Sequence, residues 1–220
     1  PLSYKGVVFN EMKGAYSDPE NYLYRKIEQS LFPDNTYGVE SGGDPAEIPN
    51  LTYEQFKRFH DTLYHPSNAF IFFYGDDDPA ERLRIIQPYL DGFARQQVDA
   101  AVPPQPAFDA PRRLIYGYDA GDEGADAKKT MVTVNWALDE VTDVEATLAL
   151  SILNHILVGT PASPLRKALI DSGLGEDLVG VGLELDTRQA YFSTGLKGIV
   201  LDDAGRVEDM IVTTLAELAD

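Results

Sequence analysis

Leu178-Val179-Gly180-Val181-Gly182-Leu183-Glu184-Leu185, then Asp186-Thr187, then Ala190-Tyr191-Phe192-Ser193-Thr194-Gly195-Leu196-Lys197-Gly198-Ile199-Val200 is the stretch that decides the fold class. Two runs rich in β-branched, aromatic and aliphatic residues flank a short polar turn, which predicts a β-hairpin. Upstream, Thr130 to Leu138 alternates apolar and polar residues and predicts a third strand. A further strand is expected at about 112–119, before a loop rich in Gly and Asp. Thr142-Asp143-Val144-Glu145 has the spacing of a capping box and opens a helix to about Val158. A shorter helix follows Pro164, and Asp202 or Asp203 caps a last helix that runs into the C-terminus. Strands that pair locally, with helices between and after them, make an α+β domain: an antiparallel sheet covered by helices.

The first half continues the same pattern. Tyr4, Val7, Val8, Met12 and Ala15 recur at helical spacing. Asp18-Pro19 then restarts a helix that runs to about Leu31, with Asp18 as N-cap and proline at the first helical position. The stretch from Pro33 to Asn50 is loop. Thr52-Tyr53-Glu54-Gln55 is a capping box for a helix ending near Tyr64. Asn68 to Tyr74, an aromatic run between Pro66 and Gly75, predicts a buried strand. Asp78-Pro79 starts another helix, to about Leu90. Residues 92–111 contain Pro103, Pro104, Pro106 and Pro111 without periodicity and read as a linker. The expected organisation is therefore residues 1–91, linker 92–111 and residues 112–220. The chain opens at Pro1 without a methionine, and its last helix meets Asp220 with no closing strand. An internal fragment with a truncated second domain is expected.

Composition narrows the chemistry. The 220 residues are 44% hydrophobic, enough for one large or two modest cores. There is no cysteine, which excludes disulfides, thiolate metal sites and cysteine nucleophiles. The net charge of −18 is spread over both halves and argues against a nucleic-acid partner, whose phosphates would be repelled. It suits basic or amphipathic peptides. No apolar run approaches the length of a membrane-spanning helix.

Glu11 is the residue with the most chemical information. On a helical wheel it lies within roughly 60° of Tyr4, Val7, Val8 and Ala15. A carboxylate on an apolar face needs a cation, a set of donors or a metal ion. The three histidines supply no second ligand. His60 and His65 lie about 140° apart on a helix, so they do not share a face. His65 precedes Pro66 and suits a helix-end cap, and His155 lies in an apolar helical run as a core or edge residue. Asp76-Asp77-Asp78 lacks calcium-loop spacing and is better explained by capping. The acidic loop from Asp119 to Asp126 reads as a solvated hairpin loop, with calcium as the alternative. The glycines Gly173, Gly175, Gly180 and Gly182 do not stand where a phosphate-binding loop needs them.

Gly6-Val7-Val8-Phe9-Asn10-Glu11-Met12-Lys13-Gly14 resembles the segment that carries the distal zinc glutamate in presequence proteases and falcilysin, members of the pitrilysin-like inverzincin peptidases. The resemblance continues in Leu31-Phe32-Pro33-Asp34-Asn35-Thr36-Tyr37, Ser41-Gly42-Gly43-Asp44-Pro45, Tyr64-His65-Pro66-Ser67-Asn68-Ala69 and Tyr74-Gly75-Asp76. Residues 112–220 are similar, more loosely, to the second, non-catalytic domain of that family through Asn135-Trp136 and Gly159-Thr160-Pro161-Ala162-Ser163-Pro164-Leu165.

The resemblance implies that residues 1–91 end a catalytic metallopeptidase domain and that a non-catalytic domain of similar fold follows. It implies zinc as the cofactor, Glu11 as one metal ligand, and short unfolded peptides, such as basic targeting peptides, as partners. It also implies a mitochondrial matrix or chloroplast stroma location. The family's two histidine ligands and general base come from a His-x-x-Glu-His helix, and this sequence contains no such motif. No catalytic residue is therefore assigned here. The complete enzyme is expected to be a zinc endopeptidase, and the chain alone to be inactive. The alternative is a non-catalytic assembly or peptide-binding protein built on the same fold.

Overall fold

The computed structural model describes residues 4–121 and 128–219. The chain packs as two units, one formed by residues up to Pro45 together with those from Pro103 onward, the other by Ala46–Val102.

The first unit is built on a three-stranded antiparallel sheet of β1 (Thr130–Glu140), β2 (Asp177–Glu184) and β3 (Gln189–Ile199) in the order β1-β3-β2. The hairpin predicted around Asp186-Thr187 is present. Leu183 faces Phe192 and Val179 faces Gly195, with a register shift between Val179 and Gly182. β3 is the central strand, so its backbone is paired on both sides.

Alternation sends successive β3 side chains to opposite faces. On one face Leu196 joins Ile199, Leu165, Leu169, Val207 and Ile211 in a buried cluster, with Val132, Val134, Trp136 and Phe192 packed against it. Three helices cover this face: α5 (Val144–Val158), α6 (Pro164–Asp171) and α7 (Ala204–Ala219). On the other face Tyr191 packs with Ile27 and Leu31 of α2 (Pro19–Leu31) and with Phe32, the residue that closes it. The rings of Phe32 and Tyr191 meet edge-on at 5.9 Å.

Local chemistry explains the element boundaries. Asp18 caps α2 by accepting from Asn21 N–H at 2.8 Å, with Pro19 in the first turn. The helix α5 is capped one residue later than the capping-box spacing suggests. Asp143, not Thr142, accepts from Ala146 N–H, at 3.0 Å, because its carboxylate stands at the position where the extended chain turns into the helix. Between α5 and α6, Ser163 Oγ accepts from Thr160 N–H at 3.0 Å and donates to His155 O at 3.2 Å. The Gly159–Leu165 stretch thus closes one helix and opens the next.

Residues 92–111 carry no helix or strand, yet Gln105 within them is buried. Its Oε1 accepts from Asp34 N–H (3.0 Å), its Nε2 donates to Asp34 Oδ2 (2.6 Å), and its backbone N–H donates to Gln189 Oε1 (2.9 Å).

In the second unit, α3 (Tyr53–Leu63) opens with the predicted capping box. Thr52 Oγ1 accepts from Gln55 N–H at 3.2 Å, and Gln55 Oε1 accepts from Thr52 N–H at 2.8 Å. Asp78 caps α4 (Pro79–Leu90), accepting from Ala80 N–H at 2.9 Å.

Two predicted strands are absent. Residues 69–74 and 112–119 are irregular, and Phe70, Phe72 and Tyr74 stand exposed instead of buried. A strand is held by a neighbour, and among the described residues none pairs with either segment.

Candidate functional site

Glu11 lies in the second turn of α1 (Val7–Ala15), which starts after an extended Gly6. The helix touches its surroundings chiefly through Met12, its one buried residue. Met12 lies against Gly42, where a Cβ would overlap the thioether. Tyr4, Val7 and Val8 are exposed, Val7 at 85%, and Glu11 is exposed with them. This corrects the expectation of a carboxylate on a buried apolar face. The helical spacing is as read, but no apolar layer among the described residues covers that face. Glu11 makes no hydrogen bond or ion pair among the described residues.

A zinc site needs three protein ligands. Among the described residues no three His, Cys, Asp or Glu side chains gather in a metal-binding group. Glu11 alone therefore does not fit a bound zinc ion.

The histidines are committed elsewhere. His65 caps the 3-10 turn Pro66–Asn68, its Nδ1 accepting from Ser67 N–H at 3.0 Å, and its ring meets Phe93 edge-on at 5.2 Å. His60 stacks on Tyr64 at 4.8 Å. His155 is exposed on α5, which excludes the core and leaves the edge position of the two expected. Asp77 is paired with Arg82, beside the capping residue Asp78. Gly180 lies within the register shift in β2 and Gly182 ends it. Most of the Asp119 to Asp126 loop lies outside the described residues.

The charged groups that the sequence reading missed sit where α2 meets the sheet. Lys197 Nζ donates to Glu20 Oε1 at 2.6 Å. Arg25 pairs with Glu40, in the loop after α2. The Tyr191 hydroxyl, in the sheet, stands close to the carboxylate of Glu28, on α2. Tyr191 is 2% exposed, and burial together with the charges of Glu28 and Glu184 pushes its pKa up. Glu28 follows Tyr24 by four residues and precedes Leu31 by three, so its place on the packed face could have been found on a helical wheel.

Burial raises the Glu28 pKa above the ordinary carboxylate range. Glu184 pushes the same way, while Arg25 and the nearby Tyr191 hydroxyl oppose it. The folded carboxyl therefore keeps its proton to higher pH than the unfolded one. Its stabilising contribution is complete below the unfolded value, about pH 4.3, and is lost as pH rises through the folded value. Urea midpoints compared between pH 4 and pH 7 should show the unsubstituted chain losing stability relative to Glu28→Gln as pH rises. Midpoints that stay parallel would mean no proton is linked to folding at Glu28.

Comparison with known proteins places this architecture. Residues 50–220 match the family described as Peptidase M16 inactive domain. Over its whole length the chain is 53% identical to presequence protease 1, chloroplastic/mitochondrial, of Arabidopsis thaliana, covering 21% of that protein. It is 45% identical to the mitochondrial presequence protease of Mus musculus and 39% identical to protein HypA of Clostridium perfringens, again over the whole chain and 22% of each relative. The chain thus spans about a fifth of the length of these curated relatives. Its fold is similar to that of a crystal structure of a peptidase M16 inactive domain from Pseudomonas fluorescens. The TM-score is 0.65 at 18% identity, over 96% of this chain and 49% of that one. The chain therefore belongs to the M16 peptidase family, whose inactive-domain description matches most of its length.

Proposed function

We propose that this chain is an internal part of a zinc endopeptidase of the presequence-protease type, which degrades short unfolded peptides such as cleaved organellar targeting peptides. In this reading residues 1–91 end the catalytic domain, 92–111 link, and 112–220 begin the second, non-catalytic domain. Glu11 is one zinc ligand, and the two histidines and the general base come from elsewhere in the complete polypeptide. The observation that carries the reading is Glu11 itself. It sits in the segment that resembles the family's distal zinc ligand, in a chain 53% identical throughout to a presequence protease. Its carboxylate is exposed and uncommitted among the described residues.

The exposed apolar faces of α1 and of residues 69–74 support the same reading, since they suit burial against further parts of a larger domain. The names of the relatives support a mitochondrial matrix or chloroplast stroma location. Zinc would supply the polarised water that attacks the peptide carbonyl. The part of this chain would be to hold one ligand and to form wall and scaffold.

The match to an inactive domain favours a second reading, a non-catalytic assembly or peptide-binding protein on the same fold. Assay of the complete polypeptide with a short unfolded peptide separates the two. Zinc-dependent cleavage, absent from the 220-residue chain alone, is the expected result. A complete polypeptide that binds the peptide and leaves it intact at full zinc occupancy would establish the second reading.

A further inference from the structure

The helix α5 stands with its polarity reversed. Its packed side carries Thr147, Ser151 and Asn154 beside Leu150, Leu157 and Val158, all buried or partly buried. Thr147 Oγ1 donates to Asp143 O at 2.7 Å and Ser151 Oγ to Thr147 O at 2.9 Å, so carbonyls of the same turn of chain satisfy both hydroxyls. Asn154 Oδ1 accepts from Leu183 N–H of β2 at 3.1 Å. The opposite side carries Val144, Leu148, Ile152, Leu153 and Ile156, exposed from 47% at Leu153 to 79% at Val144. Its polar residues are Glu145 and His155.

A surface helix turns its apolar stripe to the core and its polar side to water, whereas a helix apolar on all sides is covered on all sides. Val144, Leu148, Ile152 and Ile156 follow one another at intervals of four. They form one ridge along the helix, the shape that packs into the groove of a second helix. Three observations select what covers it. The helix has no Lys or Arg, which attraction to an anionic lipid surface needs. The net charge of −18 sets two copies of the chain against each other. The inactive domain from Pseudomonas fluorescens shares the fold of 96% of this chain, but the match takes up only 49% of that domain's own chain. About as much polypeptide again therefore accompanies this half of the fold.

We propose that this ridge of α5 is the surface on which the remainder of the inactive domain, outside these 220 residues, packs an apolar segment. The helix is then a core element shared by two halves. One side holds β2 through Asn154, and the other joins the half that follows the sheet to the half beyond the chain. The reversed polarity has a reason in this arrangement. The few polar groups of the packed side are tied down by fixed partners, and the outer side is left purely aliphatic for burial. The proposal rests on membership of the M16 family and not on zinc or on cleavage, so it stands apart from the peptidase reading.

The test compares the complete polypeptide with the 220-residue chain. The chain has no cysteine, so Ile152→Cys places one identifiable thiol on the ridge. Mass spectrometry of the peptide that contains it should show iodoacetamide reacting at least about 10-fold more slowly in the complete polypeptide. With p-benzoylphenylalanine in place of Leu148, irradiation of the complete polypeptide should give a cross-link within one molecule to a segment outside these 220 residues. Leu148→Glu combined with Ile152→Glu should leave the urea midpoint of the 220-residue chain unchanged and lower that of the complete polypeptide. Equal alkylation in the two forms would overturn the proposal. So would a cross-link to residues 1–220 or between two copies, and so would a complete polypeptide that the double substitution leaves equally stable. Because no cleavage is read, a negative result here leaves the peptidase reading as it was, and loss of that reading leaves this one.

Discussion

In the complete polypeptide, Glu11→Gln is expected to abolish peptide cleavage and leave the fold unchanged. A neutral amide is a poor replacement for a carboxylate on zinc. Loss of groups that only orient a ligand already weakens metal sites by about 10- to 100-fold, so loss of a direct ligand should reach at least the upper end of that range. The fold should not respond, because Glu11 is exposed and has no partner among the described residues to lose. Zinc content after dialysis, peptide cleavage and circular dichroism, measured on the same preparation, separate the outcomes. Cleavage that persists at normal zinc occupancy would remove Glu11 from the metal site. A changed dichroism spectrum would show that it is structural.

The second large effect is on stability and arises in the central strand. Gly195 faces Thr133 of β1 and Val179 of β2. A Cβ there would overlap the Val132 carbonyl oxygen and lie 2.8 Å from the Thr133 Cα, so the obstacle is backbone and not a side chain that can turn away. Moving β3 to make room would disturb the ladders on both sides. Gly195→Ala is expected to cost on the order of 3 kcal/mol, a large share of the about 5–15 kcal/mol that holds a typical domain. Urea unfolding followed by circular dichroism should show a sharply lower midpoint. Gly14→Ala is the control, because an added Cβ meets nothing within 4 Å in α1. A Gly195→Ala chain as stable as the unsubstituted one would mean that the two strands are not this close.

The sequence was most legible where structure is local. Helix starts at Asp18, Thr52 and Asp78 are decided by groups within three residues, and each cap is present. The hairpin of β2 and β3 was equally readable, because its partners are neighbours in sequence. The aromatic run at 69–74 and the segment at 112–119 were not. Their composition suits strands, but a strand exists only beside another, and pattern alone does not supply one. Glu11 shows the same limit at a candidate site. Periodicity placed it with Val7 and Val8, but whether that face is buried depends on what lies against it.

Gln105 has a consequence for how the chain can vary. Its side chain joins Asp34 to a point 71 residues further along, and the whole of Ala46–Val102 lies in the loop so closed. The entropy of closing a loop grows only with the logarithm of its length, about 0.6 kcal/mol for each doubling. The grip of α2 on the sheet is thus nearly indifferent to how much polypeptide is strung between its two anchor points. Ala46–Val102 stands topologically as an insertion between the two anchor points, and a change in its length should cost the anchored unit little.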